Sequence, residues 1–261
     1  MKIKDIAAAI EESAPLSFQE DYDNAGLITG NPDSKATGAL FCVDVTEEVI
    51  GEALSLGVNM IISHHPIIFI PIKKINGSNH VERVIISALK NDIAIYAAHT
   101  NLDSAKDGIS IRMAEMLGLK NIKVLQSRLN DPTTGYGAVG ELADKEEAEE
   151  FLQKVKDVFK TGAVRHSVIN KEYVQKIAVC SGAGSFMAQE AIDAGADLFI
   201  TADIKYNTFL DVRKEIIIAD IGHFESEYCS IEILYEIVTK KFPKFAAHKS
   251  VKSENPVIYL S

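Results

Sequence analysis

The sequence is poor in three things, and each shortage removes a class of function. Cysteine occurs only as Cys42, Cys180 and Cys229. An odd number at wide, unpatterned spacing does not make a disulfide framework, so reduced thiols and a cytoplasmic location are expected. No apolar run approaches the roughly 18 residues of a membrane span. The start Met1-Lys2-Ile3-Lys4-Asp5 leads into an amphipathic stretch that does not read as a signal sequence. Positive charge is also in deficit: 27 Lys and Arg face 37 Asp and Glu, giving a net charge of -10 and a pI near 5.2. Such a chain has no broad basic surface for neutralising phosphates, so neither extended nucleic acid nor a membrane is an expected partner. A small anionic substrate stays compatible, because bound metal ions reverse the local field. Low-complexity stretches, flexible linkers and a Walker-type Gly-rich loop are missing as well.

What is present describes an ordinary packed protein, with 47% apolar and 25% charged residues in 261. Ile3 to Ser13 has helical spacing, and a turn-rich region from Asp21 to Ser34 follows. The runs Leu40 to Val43, Val58 to Ile62 and Ile93 to Ala98 read as buried strands. They alternate with helices over Thr46 to Leu56, His80 to Asn91 and Ile109 to Leu117. That alternation is the pattern of a parallel sheet covered by helices. The middle of the chain differs, with turn signals at Asp131-Pro132, Gly135, Gly137 and Gly140 and then a charged helix from Lys145 to Phe159. The expected organisation is α/β, with two similar lobes of mixed sheets covered by helices and a crevice between them. Residues 1–123 and 228–261 form the first lobe and residues 124–227 the second.

The similarity of the lobes rests on an internal repeat. Ala39 to His65 aligns without gaps on Ile177 to Asp203, matching Cys42 with Cys180, Glu52 with Glu190, Ala53 with Ala191, Gly57 with Gly195 and Ile62 with Ile200. Repeated βαβ units resemble one another through fold requirements alone, so identity at these positions is not by itself functional. The polar residues at the strand ends carry more information. The strand Val58 to Ile62 runs into Ser63-His64-His65-Pro66, and each half then has a strand followed by a histidine with an acid four positions on. These are His99 with Asp103 and His223 with Glu227. Ligands of open parallel sheets bind outside the carboxyl ends of strands, which is where these clusters fall.

Four of the seven histidines, His64, His65, His99 and His223, sit at such strand ends, whereas His80, His166 and His248 have no such setting and read as surface residues. Neutral imidazole ligates zinc, iron, nickel and copper, and an added carboxylate extends the range to manganese. A lone histidine at a strand end is more often a hydrogen-bonded, partly exposed side chain. A double histidine followed by two His-x-x-x-acid clusters points instead to a pair of metal ions. Asp103 and Glu227 also suit helix N-termini, where acids complement the helix dipole, so both roles stay open for them.

Together these segments resemble the GTP cyclohydrolase 1 type 2 homolog family, also called the Nif-three-like dinuclear metal-centre family. The matching motifs are Asp23-Asn24-Ala25-Gly26-Leu27, Asp44-Val45-Thr46, Ser63-His64-His65-Pro66 and His99-Thr100-Asn101-Leu102-Asp103 in the first half. In the second half they are Thr201-Ala202-Asp203-Ile204-Lys205-Tyr206 and Gly222-His223-Phe224-Glu225-Ser226-Glu227. The resemblance spans nearly the whole chain. It implies that His64, His65, Asp103, His223 and Glu227 ligate two divalent metal ions, with one carboxylate bridging and His99 beside them as an acid/base or supporting residue. It also implies a ring-shaped homohexamer whose metal sites face an internal cavity. Two positions depart from the family pattern: Ala202 stands where Gly is usual, and a His is common near Asn207. Neither is among the implied ligands.

The function that follows is a dinuclear metal-dependent hydrolase, by resemblance one that opens the purine ring of a nucleotide such as GTP. Phosphoester hydrolysis uses the same two-metal logic. A non-catalytic metal-binding or regulatory protein is the remaining reading.

Overall fold

The computed structural model describes residues 1–128 and 131–260. In chain order the first elements are α1 (Ile3–Ser13), β1 (Gly26–Thr29), β2 (Ala39–Cys42), α2 (Glu47–Leu56), β3 (Met60–Ser63), α3 (His80–Lys90), β4 (Ala94–Ala97) and α4 (Thr100–Asp103). Next come α5 (Ile109–Met116), β5 (Lys120–Arg128), β6 (Asp131–Glu147), α6 (Ala148–Phe159), β7 (Arg165–His166), β8 (Tyr173–Val179) and α7 (Ala188–Asp193). The chain continues with β9 (Leu198–Thr201), α8 (Tyr206–Val212), β10 (Ile217–Asp220), α9 (His223–Glu227), α10 (Ser230–Lys241) and β11 (Ala247–Lys249).

These elements form two compact units, one of Met1–Ala105 with Ser230–Glu254 and one of Lys106–Cys229 with Asn255–Ser261. The first crossing falls after residue 105, where the sequence suggested 123, because α5 packs on β5, β6 and β8 of the second unit. Among the described residues, the first unit carries a sheet in the order β1-β4-β3-β2-β11 and the second a sheet in the order β5-β6-β8-β9-β10-β7. In the first sheet β11, β2, β3 and β4 are parallel and β1 is an antiparallel edge. In the second, β8, β9 and β10 are parallel, with β7 antiparallel at one edge and the β5–β6 hairpin antiparallel at the other. Both sheets are therefore mixed, as expected for an α/β chain.

The repeat survives at the level of hydrogen bonds. In the first unit Cys42 pairs with Ser63 and Ser63 with Ala97. In the second, Val179 pairs with Ile200 and Thr201 with Asp220, so β2-β3-β4 and β8-β9-β10 have one register. Helix α2 starts at Thr46, whose side chain accepts from Val49 N at 3.2 Å. It stops at Gly57, which takes φ 68°, and the aligned Gly195 ends α7 with φ 72°. Only glycine holds that left-handed turn cheaply, which explains why the repeat preserved it. A side chain just before the second strand also recurs in role: Thr37 N donates to Asn59 Oδ1 at 2.8 Å, and Gln175 N donates to Asp197 Oδ2 at 3.0 Å.

The cores follow from the apolar runs. Leu40, Val49, Ile61, Val84 and Ile95 pack together in the first unit, and Ala178, Met187, Phe199, Ile204 and Ile218 in the second. Every residue of β2, β3, β4, β9 and β10 is buried, as expected of strands covered on both faces. The charged helix expected from Lys145 begins only at Ala148, because Glu146 and Glu147 are paired with Val174 and Tyr173 of β8. Ladder hydrogen bonds outweigh helix propensity for those two residues. Among the described residues, no helix is long and apolar enough to cross a membrane.

Candidate metal centre

The end of β3 positions the double histidine of the first unit. Its ladder runs past Ser63: His64 N donates to Cys42 O at 3.2 Å and His65 N to Val43 O at 3.0 Å. Side chains alternate along a strand, yet the two rings lie with centroids only 4.9 Å apart as the chain leaves the sheet toward Pro66. His99, which caps α4 just after β4, brings its ring within 5.2 Å of His64 and 5.4 Å of His65. One ligand atom from each of the three lies within 4.8 Å of the others, so His64, His65 and His99 form a group fit to hold a metal ion.

Each ring is oriented from behind. His64 is fully buried and its Nδ1 is 2.8 Å from Ala98 O. His65 Nδ1 is 2.8 Å from Asp44 Oδ1, and His99 Nδ1 is 2.7 Å from Asp23 Oδ1. A carbonyl or carboxylate oxygen only accepts, so Nδ1 carries a proton in each case, and a ring that ligates through its lone pair does so at Nε2. This is the arrangement that fixes metal-ligating histidines. Asp23 is itself anchored, accepting from Thr100 N at 3.1 Å and from the Thr100 hydroxyl. Burial pushes its carboxyl up, but the hydrogen bonds from His99 and Thr100 outweigh that and hold it well below the usual carboxylate range. Asn101 completes the support, accepting from His99 N at 2.9 Å and donating to Ala14 O at 2.8 Å.

Asp103 lies at the far end of the single turn that His99 caps and is half-buried. It is not a member of the three-histidine group, which His99 joins instead. The segment from His99 to Asp103, adjoining a strand end in the sequence reading, is thus a helical turn.

In the second unit the same chemistry is assembled from different positions. His223 opens α9 after Gly222, which has φ 90°. Its Nδ1 is 2.7 Å from Asp203 Oδ2 and its Nε2 is 3.1 Å from Glu227 Oε1, one helical turn further on. Asp203 occupies a left-handed φ of 53°, uncommon for a residue with a side chain. The two loops are tied by buried Asp220, whose Oδ2 accepts from Ile204 N at 2.9 Å and whose Oδ1 accepts from Gly222 N at 3.1 Å. Arg165 donates to the same carboxylate. Ser226 accepts from Gly182 N at 2.9 Å and donates to His223 O at 2.8 Å. Gly182, with φ 58°, leaves space that a Cβ would take from Glu227, since that carbon would stand 2.3 Å from Glu227 Oε1.

The orienting carboxylates Asp23, Asp44 and Asp203 lie in the motifs that carry the family resemblance, but nothing in the sequence marks their role. Register was the missing signal: Cys42 is level with Ser63, so two residues on Asp44 is level with His65. His80 and His166 are exposed as expected, and His248 is half-buried on β11.

Two βαβ repeats whose strand ends carry histidines braced by carboxylates define an α/β protein with metal-competent side chains in each unit. The comparisons agree with that class and narrow it. The family model for Duf34/NIF3 (NGG1p interacting factor 3) matches residues 1–256, and the chain belongs to this family. It is 37% identical over 229 residues to a GTP cyclohydrolase 1 type 2 homolog of Clostridium perfringens, covering 87% of each chain. A protein of the same description from Clostridium acetobutylicum is 35% identical, over 90% of this chain and 88% of that one. Among solved structures, a Staphylococcus aureus hypothetical protein superposes with TM-score 0.92 at 28% identity, over 100% of this chain and 99% of that one. A Bacillus cereus protein related to NIF3 does so with TM-score 0.90 at 25% identity and the same coverage.

Proposed function

We propose that the protein is a dinuclear metal-dependent hydrolase acting on a purine nucleotide, with GTP ring opening and release of formate as the leading reaction. The names of its relatives support this choice of substrate. The observation that carries the metal reading is the common posture of four histidines. His64, His65, His99 and His223 each have Nδ1 against an oxygen acceptor, so that Nε2 is the nitrogen that acts in this reading, as ligand at His64, His65 and His223 and as proton acceptor at His99. The donor set fits divalent ions of the zinc, iron, manganese or nickel kind. Gly182 fits it too, because its missing Cβ makes room for the Glu227 carboxylate beside His223.

By the family resemblance, His64, His65, Asp103, His223 and Glu227 are the residues that would hold two ions in this reading. When bound, such a pair polarises the substrate and lowers the pKa of a water toward neutrality. His99 serves as the acid/base: Asp23 keeps the proton on Nδ1 and thereby leaves Nε2 to take a proton from the attacking water and return it to the leaving group. The Asp23 carboxylate then stabilises the imidazolium so formed. A homohexamer in the cytoplasm, taking a small-molecule substrate, completes the proposal.

The test is turnover by the purified, metal-loaded protein. Formate release from GTP is expected, and it should fall by about 100-fold or more in His99→Ala with metal retained. Phosphate release from a panel of phosphoesters without formate would replace the reaction by phosphoester hydrolysis. No turnover of either kind at full metal occupancy would make the protein a metal-binding or regulatory one.

A further inference from the structure

The three-histidine group of the first unit has an aromatic neighbour that its chemistry does not use. Phe69, on the loop between β3 and α3, stands edge-on to the His99 ring with centroids 5.9 Å apart and planes at 86°. Tyr22 stands edge-on to Phe69 in turn, at 6.2 Å and 71°. Both rings face water: Tyr22 is 65% and Phe69 47% exposed. Large aromatic side chains left in solvent forgo the burial that normally accounts for them. These two are nevertheless held in place. Asn24 Nδ2 donates to Ile68 O at 2.7 Å, which ties the Phe69 loop to the segment carrying Tyr22. The intervening Asp23 orients His99. Residues 22, 23 and 24 thus supply one ring, brace the histidine and anchor the other ring.

The same loop carries Lys73 and Lys74, both exposed and without an ion pair among the described residues. In a chain of net charge -10, two adjacent cations without an ion pair among the described residues, on the same loop as Phe69, are suited to a ligand that is planar at one end and anionic at the other. We propose that Tyr22 and Phe69 form an aromatic platform for the heteroaromatic ring of the substrate next to His99, one ring stacking on it and the other meeting its edge, and that Lys73 and Lys74 receive its phosphates. The platform determines specificity and takes no part in bond making. It rests on the nucleotide reading above and gives that reading a ring-binding element.

Calorimetric titration of the zinc-loaded protein tests it, with GTP and inorganic tripolyphosphate as the two probes. The wild type is expected to bind GTP at least about tenfold more tightly than tripolyphosphate, the scale of one base–aromatic stack. Tyr22→Ala and Phe69→Ala should each weaken GTP binding by about tenfold while leaving tripolyphosphate binding and zinc content unchanged. Phe69→Leu keeps the apolar bulk and removes the π face, so it should behave like Phe69→Ala even if the smaller side chain disturbs the loop. Lys73→Ala with Lys74→Ala should weaken both probes. Equal affinity for the two probes in the wild type, or unaltered GTP affinity in Phe69→Leu, overturns the platform. Tight, ring-dependent GTP binding without formate release leaves the platform standing and removes only the hydrolase.

Discussion

At the ends of β2, β3 and β4 the shared register brings Asp44, His65 and His99 into one row, two residues beyond Cys42, Ser63 and Ala97. At the ends of β8, β9 and β10 the corresponding row is Gly182, Asp203 and Gly222, set by Val179 with Ile200 and Thr201 with Asp220. The frame is the same and the chemistry has moved by one strand. In the first unit the carboxylate is on the first strand end and the histidine it orients is on the second. In the second, the carboxylate is on the second strand end and its histidine follows the third. The vacated first position is glycine, which admits Glu227. The two units share one backbone arrangement and carry different side chains on it.

Replacing the glycine tests that contrast most severely. Gly182→Ala forces a Cβ into a left-handed backbone and to 2.3 Å from Glu227 Oε1, so a loss of about 2–4 kcal/mol in urea unfolding is expected. Gly57→Ala is the control. It shares the left-handed φ but has nothing within 4 Å, and should cost only about 1 kcal/mol. Similar losses in the two variants would mean that the space beside Glu227 has no special role.

The orienting carboxylates come next in size. Asp44→Ala and Asp203→Ala should each lower metal affinity by about 10- to 100-fold in competition with a chelator, with little change in thermal unfolding of the metal-free protein. An unchanged affinity in one variant would break the proposed symmetry of roles and leave that carboxylate a surface ion pair.

The smallest effect concerns acid stability. Burial pushes the Asp197 carboxyl up, but Lys171 and the backbone N–H groups of Lys176 and Gln175 outweigh it and hold the group below its ordinary value. A carboxylate lowered in the folded state contributes stability above its unfolded pKa and loses it as pH falls through the folded one. Asp197→Asn should therefore cost about 1 kcal/mol at neutral pH, with the difference from wild type shrinking below roughly pH 4. Asn59, the matching residue in the first unit, does not titrate and supplies no such dependence. A constant difference across the acid range would show that the Asp197 charge is not used.

The strands of the repeat and their terminal histidines were legible because burial on both faces writes an unbroken apolar run, and the run stops where Ser63-His64-His65 or Gly222-His223 begins. The β5–β6 hairpin was not. Its strands are half-exposed and interrupted by Gly135, Gly137 and Gly140, so neither the apolar run nor the helical period marks them. Glu146 and Glu147 read as helix because their propensity is local, whereas their pairing with β8 spans more than twenty residues. For the site, the sequence named the histidines but not their supports. Asp23 meets His99 across 76 positions and Asp44 meets His65 across 21, distances that only the folded chain closes. Composition carried no trace of the aromatic pair, since Tyr22 and Phe69 look like ordinary loop residues until the fold brings them together.

The metal reading stands or falls on elemental analysis of the purified protein beside His65→Ala and His223→Ala, one ligand from each unit. Two ions per chain are expected in the wild type, with loss of metal in both variants. Equal metal content in all three proteins would contradict the account.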